Sequence, residues 1–280
     1  MVKAVIAAGG IGASLMPLTK AVAKEILPLG GRPVIDYVMR ELQANDITEI
    51  LLIANKSKQA IEDYFDSAPE LERVLQEKGD TATLADIARS TAVNLHFIHQ
   101  QSPTGIGGAL ALARDFIDGE DFCFVLSDDV LPVPGTLLQD LWQAHAASGQ
   151  QMVAAVPITP VESQQYGVID WADPAAGTIT AIQEKPAPVA APSHDAVFGR
   201  YVFSAEIFNR LNEFAPDQQQ FARALNSLAA DDQLSGLSYT GPRENIDGHL
   251  GLVEANIDMA LRDPATAGPL QAYLRTLDLD

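Results

Sequence analysis

The sequence predicts an α/β fold built on a mixed, mainly parallel central sheet flanked by helices, with a smaller β region in its second half. Three observations carry this expectation. Short apolar runs alternate with helix-length segments up to about residue 157, a glycine-rich loop directly follows the first run, and closely spaced strands take over after residue 158. Strand-like runs fall at residues 2–7, 49–54, 94–98, 122–126 and 152–157, with helical patterns at 34–44, 56–65, 106–116 and 136–147 between them. Strands that are apolar throughout must be covered on both faces by helices, and a ligand crevice then forms at their carboxyl ends.

Beyond residue 158, the runs 168–171, 178–183 and 197–203 read as strands, separated by a turn at Asp173-Pro174 and the proline-rich run 187–192. Helical patterns return at 205–212, 219–229 and 250–262. Residues 60–92 are charge-rich around Leu71, Val74, Leu75 and Leu84, the pattern of helices packed beside a sheet. Neither a repeat nor a long linker interrupts the chain, so one domain is expected over 1–280, with halves meeting near 157, the second ending near 262, and a tail at 263–280.

Composition narrows the chemistry. A hydrophobic content of 47% supplies a substantial core. No apolar run reaches the roughly 18 residues of a membrane span and no signal-peptide pattern precedes the first strand, so a cytoplasmic protein is expected. A formal net charge of −19 disfavours nucleic acid and anionic membrane as partners. An anionic substrate would then need local lysines or a metal. The single cysteine, Cys123, lies inside an apolar run and reads as a buried strand residue. His96, His99, His145 and His194 show no metal-ligand spacing, and no G-x-S-x-G elbow supports hydrolase chemistry.

The loop after the first strand runs Ala7-Ala8-Gly9-Gly10-Ile11-Gly12-Ala13-Ser14, with Lys20 and Lys24 beyond it and Lys24-Glu25-Ile26-Leu27-Pro28 completing the segment. Glycines let backbone N–H groups approach an anion and the lysines can neutralise it, although the spacing alone fits an ordinary turn equally well. Asp128-Asp129 closes the strand at 122–126 and would face the same crevice, where a carboxylate can hold a hard cation or merely cap a turn. Gln100, followed by Gly105-Ile106-Gly107-Gly108, offers an amide that can both donate and accept beside glycines permitting close approach of a flat base, or equally a polar loop capping the helix at Ala109. In the second half, Tyr166-Gly167-Val168 and Glu184-Lys185-Pro186 could hold a sugar phosphate, with Glu184 accepting hydroxyls and Lys185 balancing phosphate, although a Glu-Lys pair alone fits a solvated surface better.

In their order, these segments resemble the sugar-1-phosphate nucleotidyltransferases, whose loop G-x-G-T-R-x-x-P precedes K-E-x-L-P. Pro17 and Lys24 to Pro28 match, while Ala13 and Ser14 replace the family's Thr and Arg. The stretch Tyr64 to Glu72 resembles an insertion of the bacterial UTP:glucose-1-phosphate uridylyltransferases, and Gly199-Arg200-Tyr201-Val202 is a further match. The resemblance implies a Rossmann-like nucleotidyltransferase fold with a nucleotide-binding first half and a sugar-phosphate-binding second half. It also implies Mg²⁺ as cofactor, UTP, glucose 1-phosphate and UDP-glucose as ligands, and a homo-oligomer, either dimer or tetramer. Lys24, Asp128 and Lys185 take the catalytic positions; Ala8, Gly9, Gly10, Gly12, Lys20, Glu25, Gln100, Gly105 and Asp129 take those around nucleotide and metal; Tyr166, Gly167, Glu184, Lys185 and Gly199 take those around the sugar.

Asp128 is the implied first metal ligand. Aligning Leu250-Gly251 with the family puts Asn245 at the second ligand position and His249 at a lysine, whereas a shifted register would use Asp247. Likewise Gln220-Phe221-Ala222-Arg223 stands where the family has Gln-Leu-Thr-Asp. Two expectations follow: a uridylyltransferase that tolerates a weakened triphosphate clamp, or an impaired paralogue that binds nucleotide or nucleotide sugar and modulates an active relative.

Overall fold

A computed structural model describes residues 2–278. Its main sheet contains nine strands: β1 (Lys3–Ala8), β2 (Glu49–Ala54), β3 (Asn94–His99), β4 (Phe122–Leu126), β5 (Gln151–Pro157), β6 (Gly167–Asp173), β7 (Thr178–Glu184), β8 (Asp195–Phe203) and β9 (Leu234–Ser238). Their spatial order is β3-β2-β1-β4-β8-β5-β9-β7-β6. The first four are parallel, as the βαβ rhythm requires. β8 then inserts antiparallel between β4 and β5, and β7 opposes both β9 and β6. The fold is a Rossmann-like α/β sheet whose parallel character belongs to the first half, with mixed pairing in the second.

Period-two alternation divides the core into a layer on each face. From β1, Ala4, Ile6 and Ala8 meet Ile35, Val38, Met39 and Leu42 of the helix Val34–Ala44. Val5, on the other face, belongs with Leu110, Phe124, Phe203, Phe208 and Phe221. Cys123 is buried in the first layer, and burial pushes its thiol up to about 12. It has no reactive thiolate.

Residues 60–92 hold parts or all of three helices, Gln59–Phe65, Pro69–Lys78 and Thr81–Ser90. The helical pattern at 106–116 splits into Gly105–Ala111 and Arg114–Ile117. Two elements carried too weak a pattern to be expected. β9 reads Leu-Ser-Gly-Leu-Ser, a run broken by two serines and a glycine, and the helix Pro264–Leu274, in the expected tail, has a proline inside it and no buried residue. Among the described residues, no helix is long and apolar enough to cross a membrane. One small ladder matters for the site: Asn245 pairs opposite Asp129, drawing the C-terminal segment against the end of β4.

Candidate active site

The end of β1 and the end of β4 frame two adjoining cavities. One, of about 420 Å³, is lined by Gly9, Gly10, Lys24, Gln100, Gly105 and Asp128. The other, of about 220 Å³, is lined by Asp128, Asp129, Tyr166, Gly167, Glu184 and Lys185, with Asn245 and Asp247 at its rim. Asp128 belongs to both, together with Ile106, Leu126 and Gln218. A Cβ at position 9 would come within 2.6 Å of Gln100 Oε1, so a larger residue there would displace the Gln100 amide.

Lys24 and Asp128 form an ion pair at this junction. Burial opposes the charge on each, but their mutual attraction prevails, holding the ammonium above its ordinary range and the carboxyl below its own. Asp129 behaves oppositely: burial and the neighbouring Asp128 push its carboxyl up to about 6. Its Oδ2 accepts the Gly199 N–H at 2.9 Å.

Two buried ion pairs brace this arrangement, and sequence reading assigned neither. Lys58 donates to Glu25 at 2.7 and 2.8 Å, while the Ser127 hydroxyl donates to the same carboxylate at 3.1 Å. Arg200, fully buried, pairs with Glu41 and donates onward to the carbonyl oxygens of Leu126 at 3.3 Å and Asp129 at 2.8 Å. Those carbonyls bracket Ser127 and Asp128, so the guanidinium fixes the turn that presents the carboxylate. The available signal was a lone arginine inside an apolar strand, which must find a buried anion.

In the second cavity, Lys185 has φ 46°, a left-handed conformation costly for a residue with a side chain. Its N–H donates to Tyr166 O at 3.0 Å, closing the end of β7 against the Tyr166-Gly167 segment. Burial holds the Glu184 carboxyl above its usual range, an effect Lys185 partly counters. A Cβ at Gly167 would stand 2.9 Å from Ile182 and 3.3 Å from Glu184 Oε2, so glycine makes the room here. Tyr166 Oη is held by Asn245 Nδ2 and by Arg243 Nη1 at 3.2 Å.

The loop tip is tied to the same C-terminal segment. The Ser14 hydroxyl donates to Asp247, the Asp247 N–H donates to Asn245 Oδ1 at 2.7 Å, and His249 Nε2 lies 3.0 Å from Met16 O. The Asn245 amide is engaged through both its ends, and Asp247, which accepts from Ser14, is the carboxylate of this segment; both residues line the cavity.

Several expected contacts are placed elsewhere. Lys20 is exposed and lines neither cavity, because its short helical turn carries it away. Ala8 is buried in the sheet, Glu25 is consumed by Lys58, and Gly12 turns the loop at φ 66°, its carbonyl accepting from Thr19 Oγ1. Gly199 also lies outside both linings: a Cβ there would strike Leu126 at 2.5 Å, so its smallness serves packing. The space at Gly107 is filled by Gln220 and Phe221, while Gly105 approaches Gln218 as well as lining the first cavity. Among the described residues, no three His, Cys, Asp or Glu side chains converge to hold a metal by themselves.

A glycine-lined cavity and an acid-lined one joined at a carboxylate, on a Rossmann-like sheet, define a nucleotidyl transferase. The chain belongs to that family: the nucleotidyl transferase sequence pattern matches residues 3–239. It is 35% identical to the UTP–glucose-1-phosphate uridylyltransferase of Streptococcus pneumoniae, an alignment covering 97% of this chain and 94% of that one. Its fold superposes on a UTP-bound UGPase from Acinetobacter baumannii with TM-score 0.89 and 29% identity, covering 99% of this chain and 100% of the other. A UDP-glucose pyrophosphorylase complexed with UDP-glucose superposes with TM-score 0.78 and 25% identity, again over 99% and 100%.

Proposed function

We propose that the protein transfers the uridylyl group of UTP to glucose 1-phosphate, giving UDP-glucose and pyrophosphate. The observation that carries the reading is Asp128, paired with Lys24, at the seam between the two cavities. A nucleotide in the glycine-lined cavity and a sugar phosphate in the acid-lined one would meet there. An oxygen of the sugar phosphate attacks the α-phosphorus, a new P–O bond forms, and the bond to the β-phosphate oxygen breaks to release pyrophosphate. The acceptor is already an anion, so the chain needs to supply alignment and charge balance instead of a nucleophile.

In this reading, Gly9 and Gly10 admit the triphosphate, Lys24 balances it, and Gln100 reads the uracil edge. Glu184 accepts sugar hydroxyls, and Lys185 holds the acceptor phosphate. The donor set suits a hard cation such as Mg²⁺, which binds through one or two carboxylates and substrate phosphates without a full protein cage. Asp128 and Asp247 would hold it, and bound there it would neutralise charge on the phosphate oxygens. The unit is a single domain, nucleotide-binding to about residue 157 and sugar-phosphate-binding to about 262. It works in the cytoplasm as a dimer or tetramer.

A second reading has its own observation: Ser14 stands where the family has a clamping arginine, and its hydroxyl is engaged with Asp247. The chain would then bind nucleotide or nucleotide sugar with little turnover. Purified protein incubated with UTP, glucose 1-phosphate and Mg²⁺ separates the two. Pyrophosphate release above blank supports transfer; none, with tight UDP-glucose binding, supports the binding role.

A further inference from the structure

A groove at the opposite edge of the sheet has the wrong charge for this protein. Ala44 and Thr48 precede β2, and Ala92 precedes β3, so the groove they help line opens at the amino ends of those strands, away from Gly9 and Asp128. Its walls carry Arg32, Arg40 and Arg89, and unlike both cavities at the candidate active site its lining contains no carboxylate. In a chain of net charge −19, three of only 18 basic residues converge here.

All three guanidiniums reach one carboxylate. Arg32 donates to Asp86 at 2.8 Å, Arg89 at 2.9 Å and Arg40 at 3.2 Å, while Arg40 and Arg32 also contact buried Asp36 at 2.6 and 3.4 Å. Asp86 ties the helix Thr81–Ser90 to Val34–Ala44, and Arg89 joins it from one turn along its own helix, bringing a third arginine to the same carboxylate. Three cations against two anions leave one formal positive charge, with more N–H donors than the two carboxylates can use. Tyr37, Pro132 and Pro134 add flat, largely apolar walls.

We propose that this groove is a second anion site, taking a phosphate group through Arg32, Arg40 and Arg89. Guanidinium forks suit phosphate oxygens, and the flat walls leave room for an organic substituent. The source is free phosphate or a phosphomonoester.

Calorimetric titration of the full chain with inorganic phosphate and with phenyl phosphate tests this. Binding should persist in Lys24→Gln, which alters the other anion-attracting cavity, and weaken at least tenfold in Arg89→Gln. Ala92→Asp, which places a carboxylate in the exposed wall, should weaken it equally and carries the test should Arg89→Gln fail to fold. Tighter phenyl phosphate would assign a phosphomonoester; equal affinity would assign the free anion. Absence of binding by either probe, or unchanged affinity in folded Arg89→Gln and Ala92→Asp, would overturn the proposal.

Discussion

Lys24 and Asp128 neutralise one another at the point where two cavities meet. In the proposed reaction, a polyphosphate that reaches Lys24 would supply a new counter-charge and release Asp128 to a cation. On that reading the pair would be a place for exchange of partners, with neither charge left bare before the exchange.

Substituting either member should cost turnover. Lys24→Met and Asp128→Asn are each expected to lower kcat by about 10²–10³-fold, the range for loss of one preorganised charge-stabilising group. Rates of pyrophosphate release check this, and a change under threefold would remove the pair from the chemistry.

Glu25→Gln should destabilise the fold by about 3–5 kcal/mol, because it strands the Lys58 ammonium in a buried setting. Burial already lowers the Lys58 pKa from 10.5, with Glu25 opposing that fall. Without Glu25 it drops further, so the unfolded chain binds the extra proton between the depressed folded value and 10.5. Stability of the variant should rise with pH across that window, as urea melts at stepped pH would record.

The Arg200–Glu41 pair separates stability from positioning. Glu41→Leu alone should cost about 3–5 kcal/mol by leaving a buried guanidinium unpaired, and Arg200→Met added to it should recover most of that loss. Turnover should not recover, because the Leu126 and Asp129 carbonyls lose their donor. A double variant with full stability and full kcat would show that the turn needs no such brace.

Ser14→Arg should raise kcat/KM for UTP about tenfold, equivalent to about 1.4 kcal/mol, by restoring a guanidinium at the loop tip. Steady-state kinetics at varied UTP test it. An unchanged value would mean the loop tip does not limit the reaction.

Lys185 occupies a conformation that glycine adopts freely. Lys185→Gly should leave the melting temperature equal or higher while lowering turnover, the signature of strain retained for a site. Loss of stability together with activity would point to a structural lysine instead.

Much of this was legible in advance. The apolar runs located eight of the nine main strands, strand ends suggested Lys24 and Asp128, and the family resemblance added Glu184-Lys185 to the same region. What escaped depends on partners distant in sequence. Arg200 finds Glu41 across 159 positions, and Lys58 takes Glu25, an acid the motif had suggested for the ligand region. Lys20 was misplaced because a nearby charge in sequence says nothing about which way a short turn points it. Gly199 and Gly107 looked like openings for a ligand, yet their missing side chains make space for Leu126 and Gln220.

A crystal structure with bound UDP-glucose tests the central claim most directly. The account predicts uracil beside Gln100, the sugar beside Glu184, and the diphosphate at the Lys24–Asp128 seam. A diphosphate bound away from both residues, or uracil in the Tyr166 cavity, would contradict it.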